Sequence, residues 1–294
     1  MNRSAKKITQ PGFLKCMGYG FIDLVLLSMG DAIYDMLVLR SSFSVETVHL
    51  SLKRLPKVFS GLRVAQISDI HMGGWMNPGR FHQVANLVIA QKPDVLLITG
   101  DFLLGHHFSE AAKQAILDLI PGLSLLARTV PSFAVLGNHD YWTSSDAIRQ
   151  MLFSCEITDL TNTVFTLTRA RETLHLCGVD DIWKGEVRLD KVIAQLPDDS
   201  AAILLAHEPD FADISATTGK FDLQISGHTH GGQVDLPLVG PPVRPYLGRK
   251  YPTGLYKVGD MYQYTNRGVG MAKWPIRFNC PPEITIFVLE SGGS

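Results

Sequence analysis

The sequence predicts an α/β fold, and three observations carry that prediction. Short apolar runs of strand length alternate with stretches of helical period along most of the chain. Five of those runs end in Asp, His or Asn, as the strands of an open α/β sheet do when they build a site beyond their carboxyl ends. The chain has 294 residues, 46% hydrophobic and 19% charged, which is ample material for a core. Length alone gives a prior of about two domains, but α/β folds of this size are often one.

Taken in order, residues 1–15 carry Arg3, Lys6, Lys7 and Lys15. Cys16 to Leu39 is mostly apolar but holds Asp23, Asp31 and Asp35, too many charges for a spanning helix. On a helix the three aspartates fall within roughly 120° of one another, leaving a wide apolar face with an acidic edge. Such a helix, preceded by cations, suits a membrane interface. Residues 1–44 are therefore expected to form a basic, then amphipathic, segment that lies on a membrane surface, at the cytoplasmic face, or else packs on the protein's own surface, ahead of a catalytic domain over 45–294. The segment lacks a small-residue cleavage site and a twin-arginine pair.

From Thr47 the period changes. Val48, Leu50 and Leu52 alternate with polar residues as in a half-buried strand. Further strands are expected at 62–67, 95–99, 133–136, 164–167, 174–177, 201–205, 223–225 and 284–289. Helices are expected at 81–91, 111–120, 144–153 and near 189–196, with Ser or Asp as N-cap of the third.

The polar residues that end these strands are Asp69 and His71, Asp101, Asn138 with His139 and Asp140, His207, and the pair His228 and His230. Gly227-His228-Thr229-His230-Gly231 places two imidazoles one residue apart between glycines, so that both can point to one side of an extended segment. Each piece alone is an ordinary polar turn; five together at five strand ends are a metal constellation. Aspartate, asparagine and imidazole suit Mn²⁺, Fe or Zn²⁺. Two ions ~3.5–4 Å apart need a shared carboxylate, and such a pair clamps both oxygens of a displacement at phosphorus. The net charge of −1 argues against a nucleic-acid partner. Cys16, Cys155, Cys177 and Cys280 are too scattered for a disulfide framework or a zinc ribbon.

Asp69-x-His71, Gly100-Asp101, Gly137-Asn138-His139-Asp140, His207 and Gly227-His228-Thr229-His230 match, in type and order, the motifs of calcineurin-like metallophosphoesterases, which the chain resembles over roughly residues 45–290. That resemblance implies a four-layer αββα sandwich, two mixed β-sheets flanked by helices. It also implies two divalent metal ions, Mn²⁺ first among the candidates. Asp69, His71 and His230 would hold the first ion, Asn138, His207 and His228 the second, and Asp101 would bridge them. A bridging hydroxide, available near neutral pH, would attack phosphorus in line. His139 would serve the leaving-group side, and Asp140 would orient His139.

The Gly-Asp-x-x-Asp-Arg-Gly run of the family's protein phosphatases is missing, since Gly100-Asp101 is followed by Phe102-Leu103-Leu104. Gly231-Gly232-Gln233, Asn266-Arg267-Gly268-Val269-Gly270 and Arg277-Phe278-Asn279-Cys280-Pro281-Pro282 resemble instead the branch of bacterial envelope phosphodiesterases. That branch includes a UDP-2,3-diacylglucosamine pyrophosphatase of lipid A biosynthesis, which releases UMP and lipid X. The expected partner is thus a small or lipid-linked phosphoester. Arg244, Arg249 and Lys250, in a Pro/Gly-rich run after the histidine pair, are candidates to meet its phosphates. Trp75, Met76 and Trp142 are expected near the mouth of the site.

Overall fold

The structure, a computed structural model, describes residues 43–272 and 275–292. The expected membrane-surface segment therefore lies outside the described residues, except for its last two positions.

Two six-stranded sheets form the framework. In spatial order the first is β1 (Ser44–Leu52), β12 (Glu283–Ser291), β2 (Leu62–Ile67), β3 (Val95–Thr99), β4 (Ser132–Val135) and β5 (Thr158–Asp159). The second is β10 (Gly254–Val258), β11 (Met261–Thr265), β9 (Leu223–Ser226), β8 (Ala201–Leu205), β7 (Glu172–Gly178) and β6 (Thr163–Arg169). Both sheets are mixed. Strands β2 to β5 run parallel and β12 antiparallel to β2, while β7, β8, β9 and β11 run parallel with antiparallel β6 and β10 at the two edges.

The layering follows from alternation within fully buried strands. In β3, Val95 and Leu97 face the second sheet, while Leu96 and Ile98 face the helices. In β8, Ile203 and Leu205 face the first sheet, while Ala202 and Leu204 face outward. A strand covered on both faces reads as a continuous apolar run, which is how β3 and β8 look in sequence. Helices α1 (Pro78–Ala90), α2 (Glu110–Thr129) and α4 (Ser145–Ser154) cover the first sheet through Phe81, Val84, Leu119, Leu123 and Ile148. Short helices α5 (Leu189–Ala194) and α6 (Ala212–Ser215), with Phe211 and Tyr251, cover the second. The result is the expected αββα sandwich.

Element boundaries match where a cap or a turn is written into the chain. Asn77 accepts a hydrogen bond from the Arg80 amide and starts α1, and Ser144 accepts from Ala147 and starts α4. Three departures have physical causes. Helix α2 runs to Thr129, past Pro121, where a break is expected. Pro121 sits on the exposed side, and Leu119, Leu123 and Leu126 continue one buried stripe, so tertiary packing overrides the missing N–H. The hairpin β10–β11 is hidden by polar and aromatic residues on its strands. The motif Asn138-His139-Asp140 is itself a short helix, α3 (Asn138–Thr143).

Candidate metal centre

The carboxyl ends of β2, β3, β4, β8 and β9 meet along one line where the two sheets face each other. The chain turns sharply at each end, and the turns are unusual. Asp69, His71, Asp101, His228 and His230 all have φ between 49° and 71°, a region non-glycine residues rarely adopt. Each such residue costs of order 1–3 kcal/mol and persists only where its surroundings over-determine it. Here they do. The Asp69 amide donates to Gly100 O (2.9 Å), the His71 amide to Asp101 O (3.1 Å), and the Gly270 amide to Asp69 O (2.8 Å). Glycine is required where strand ends press together. A Cβ on Gly227 would collide with Ser68 Oγ and Asp69 Oδ2, and one on Gly137 with Asp101 Oδ1.

All seven expected ligands are buried. Asp69, His71 and His230 form one group whose ligand atoms lie within 4.8 Å of one another, and Asp69, Asp101 and His207 form another. Asp101 Oδ2 lies 3.6 Å from His71 Nε2 and 3.3 Å from His207 Nε2, between the two sets of imidazoles. That is where a bridging carboxylate belongs. His230 Nε2 lies 3.4 Å from Asp69 Oδ1, and the His71 and His230 rings stack with centroids 4.9 Å apart. Asn138 and His228 face the same cleft as Asp101 and His230, and the His228 ring stands edge-on to His207 with centroids 5.1 Å apart.

Backbone carbonyls fix which ring nitrogen is free. Nδ1–H of His71 donates to Leu103 O (3.2 Å), and Nδ1–H of His207 donates to Thr99 O (2.6 Å). Nε2–H of His228 donates to Tyr246 O (2.8 Å). The second nitrogen of each ring is then turned toward the cluster, the usual way an outer partner orients a metal-binding histidine. Asn138 Oδ1 is buried with no hydrogen-bond partner among the described residues, and His207 Nε2 meets Asp101 Oδ2 at 3.3 Å. An orphaned acceptor beside two carboxylates and several imidazoles fits divalent cations.

The electrostatics agree. Burial drives the His71 pKa down to about 3, and burial also lowers His228 and His230, which disfavours the protonated, non-ligating form of each ring. Burial pushes Asp69 up to about 6. Burial acts the same way on Asp101, but the adjoining His207, His139 and His71 outweigh it and hold Asp101 well below the carboxylate range. His207 is the other half of that pair. Burial lowers it, yet the Asp101 charge wins and raises its pKa well above the usual imidazole range, favouring a proton at Nε2. A cation at the same place would replace that proton.

His139 is half-buried. Its Nδ1 pairs with Gly105 O (3.1 Å), its amide donates to Asp101 Oδ1 (2.8 Å), and its ring stands edge-on to His71 and to Trp142. Burial lowers its pKa despite the Asp101 charge. The expectation that Asp140 orients His139 is corrected. The Asp140 carboxylate accepts from three backbone amides: Asp101 (2.9 Å), Phe102 (2.8 Å) and Gly137 (3.0 Å). It ties the β3 turn to the β4 turn and so positions Asp101 and Asn138. Burial raises its pKa to about 7, with the Asp101 charge adding to the rise. The three N–H donors, spread over both oxygens, oppose that and leave no natural place for a carboxyl proton.

The centre forms the floor of a cleft of about 580 Å³. Its walls are largely apolar: Trp142, Trp183, Val234, Val243, Pro245 and Ile276 among them. Trp142 and Trp183 meet edge-on with centroids 5.1 Å apart, and Lys184 Nζ lies over the Trp183 ring at 5.1 Å. Arg244, Arg249 and Lys250 do not line the cleft. Lys250 pairs with Asp213 (2.6 Å), and Arg244 reaches the Arg249 carbonyl. Trp75 and Met76 are core residues, Trp75 beneath Arg80 and Met76 buried. Only Trp142 of the expected aromatic set reaches the site.

Sequence reasoning missed Trp183, Asp181 and Glu208. Asp181 and Glu208 are fully buried beside the centre, and each has one carboxylate oxygen without a hydrogen-bond partner among the described residues. The signal was present: β7 ends at Gly178, and Asp180-Asp181 follow at a sixth strand end. Arg277 is buried and donates to the carbonyls of Arg267, Gly268 and Gly270, the strap that holds Asp69, and it lies 3.4 Å from His230 Nδ1.

Buried aspartates, an asparagine and imidazoles at converging strand ends between two sheets define a metal-dependent phosphoesterase. Residues 62–232 match the family model described as calcineurin-like phosphoesterase, and the chain belongs to that family. It is 32% identical over 290 residues to an uncharacterized metallophosphoesterase, YkuE, of Bacillus subtilis, covering 97% of this chain and 99% of that one. It is 33% identical over 231 residues to the phosphodiesterase YaeI of Escherichia coli, covering 77% and 82%. A transmembrane protein with a metallophosphoesterase domain from Danio rerio is 27% identical over 302 residues, covering 98% and 66%.

Proposed function

We propose that the protein cleaves a phosphodiester or pyrophosphate bond in an amphiphilic substrate at a membrane surface, using two divalent ions, Mn²⁺ foremost. The observation that carries this reading is the position of the donor cluster: it is the floor of a cleft with apolar walls. Asp69, His71 and His230 would hold one ion, Asn138, His207 and His228 the other, with Asp101 between them. Bound there, the ions supply Lewis acidity and an activated water near neutral pH.

The chain's own residues do the rest. Asp140 and the Thr99, Leu103 and Tyr246 carbonyls hold the ligands in their orientation, so little reorganisation accompanies reaction. His139, fixed through Nδ1 by Gly105, keeps Nε2 free to meet the leaving oxygen. Protonated at both ring nitrogens, the imidazolium form offers Nε2–H to that oxygen as negative charge develops there. The apolar walls exclude water and favour a substrate with hydrocarbon or an aromatic ring near its phosphate.

UDP-2,3-diacylglucosamine is the specific substrate we propose, since it joins a pyrophosphate to two acyl chains and a base. The test is mass spectrometry of products after incubation with Mn²⁺. UMP and the diacylglucosamine 1-phosphate are expected. If neither forms while bis-p-nitrophenyl phosphate is hydrolysed, the substrate is wrong and the phosphoesterase stands. Membrane attachment has its own test, in flotation of the full chain with anionic vesicles. Among the described residues no helix is long and apolar enough to cross a membrane, so attachment through them would be at the surface.

A further inference from the structure

We propose that the turn Leu236–Gly240 is a membrane-contact tip, and that the cleft beside it takes an acyl chain drawn from the bilayer. The proposal rests on the phosphoesterase reading above and extends it to how the substrate arrives.

Four observations meet at this turn. First, its apolar side chains face solvent. Leu238 is fully exposed and Val239 is 71% exposed, with Leu236 beside them. Second, the turn is built, not loose. Leu236 and Gly240 exchange backbone hydrogen bonds (3.2 and 2.8 Å). Below them Val234 bridges to Phe278, and the Asp235 amide donates to Phe278 O (2.9 Å). Third, Leu238 has φ 68°, where glycine or asparagine is the ordinary choice. A bulky leucine there brings backbone strain and exposes hydrocarbon, and among the described residues nothing covers it. Fourth, the apolar surface continues into the site. Val243, 68% exposed, is also a wall of the cleft above Asp101 and His139, next to Pro242 and Pro245.

Charge selects the occupant. Arg244 is exposed at the tip, its Nη2 3.7 Å from where a Cβ on Gly240 would sit, and Arg249 is exposed five residues on; neither pairs with a carboxylate among the described residues, whereas Lys250 is held by Asp213. An apolar tip flanked by cations complements an anionic lipid surface, with the leucine and valine in the acyl boundary and the guanidinium groups at the phosphates. This gives Arg244 and Arg249 a role outside the cleft they do not line. An amphiphile could then slide its chain along Val243 into the cleft without leaving the hydrocarbon.

The experiment compares the full chain with a Leu238→Glu, Val239→Glu variant, using Mn²⁺ and alkyl p-nitrophenyl phosphates of increasing chain length. Wild type is expected to favour the dodecyl over the methyl ester by about 50-fold in kcat/KM. On the hexadecyl ester held in phosphatidylglycerol–phosphatidylethanolamine vesicles, the variant should lose about tenfold in turnover. Both should hydrolyse the dissolved methyl ester equally, which shows that the variant is folded. Equal kcat/KM for methyl and dodecyl esters overturns the acyl cleft. Unchanged vesicle turnover in the variant overturns the membrane tip, as does sedimentation showing that the two glutamates merely split a dimer. Absence of hydrolysis of every ester by wild type would instead remove the underlying phosphoesterase reading.

Discussion

The floor of the cleft and its rim obey different rules. On the floor, five left-handed non-glycine residues crowd within a few ångströms, every ligand is buried, and backbone groups fix the rings. The rim carries Trp183 at 36% exposure and Val243 at 68%, with the Lys184 ammonium over the Trp183 ring. Strain is tolerated on the floor because many interactions share its cost, and geometry there is set by the fold. The rim is free to vary, so it is where substrate choice resides. If that division is right, floor substitutions should change metal content and kcat, and rim substitutions should change KM and substrate preference.

The largest break should come from Asp101→Ala. It removes the carboxylate between the two imidazole sets and leaves His207 without its counter-charge. Turnover of bis-p-nitrophenyl phosphate should fall by on the order of 10³-fold or more, and metal content measured by plasma mass spectrometry should fall with it. Activity within tenfold of wild type would mean that Asp101 does not join the two halves of the centre.

His139→Ala separates binding from chemistry. We expect kcat to fall by about 10²–10⁴-fold, with metal content and KM little changed. Equal losses in metal and kcat would make His139 a ligand instead.

This part of the molecule was legible in sequence. A metal ligand must be Asp, Asn or His, and a parallel sheet must deliver it at a strand end, so Asp69, Asp101, Asn138 and His207 announce themselves after apolar runs. Strands covered on both faces, such as β3 and β8, are equally plain. What stayed hidden is whatever depends on the partner of a side chain. Nothing in Asn138-His139-Asp140 says that the aspartate turns back to the amides of a strand 38 residues earlier. Nor does Val234 to Lys250 reveal that Val234, Pro242, Val243 and Pro245 line the cleft while Arg244, Arg249 and Lys250 do not. The hairpin β10–β11 and the end of α2 escaped because local propensity is weak against burial.

Asp140→Asn tests the hidden contact. The amide can accept through only one atom, so at least one of three backbone donors loses its partner. Metal affinity should drop by about 10–100-fold, with kcat recovering at high Mn²⁺. Were Asp140 orienting His139, kcat would instead stay low at saturating metal, as in His139→Ala.

At the rim, Trp183→Ala should raise KM about tenfold for an amphiphilic ester and leave kcat and metal content alone, since an apolar wall contributes to binding without touching the ligands. Loss of metal in this variant would show that the wall also supports the floor, through the Trp183–His228 edge contact at 6.2 Å.

The smallest effect concerns a cost the floor carries beneath the centre. Burial pushes Asp181 up to about 9, and the charge of Glu208 and a hydrogen bond to it push the same way. One proton shared between Asp181 and Glu208 would satisfy the two carboxylate oxygens that otherwise lack partners. In the unfolded chain Asp181 titrates near 3.9. Below about pH 4 it is neutral in both states and its native interactions are intact. Between pH 4 and 9 the unfolded chain ionises while the folded one holds its proton, so stability is lost steadily, and above 9 the loss is complete. Asp181→Asn keeps a neutral group of the same shape and removes the titration. In chelator-treated protein its Tm should equal that of wild type near pH 4.5, exceed it by a few °C at pH 8, and gain nothing more above pH 9. A Tm difference independent of pH would mean that Asp181 is already ionised in the fold, and that the floor of the centre carries no such cost.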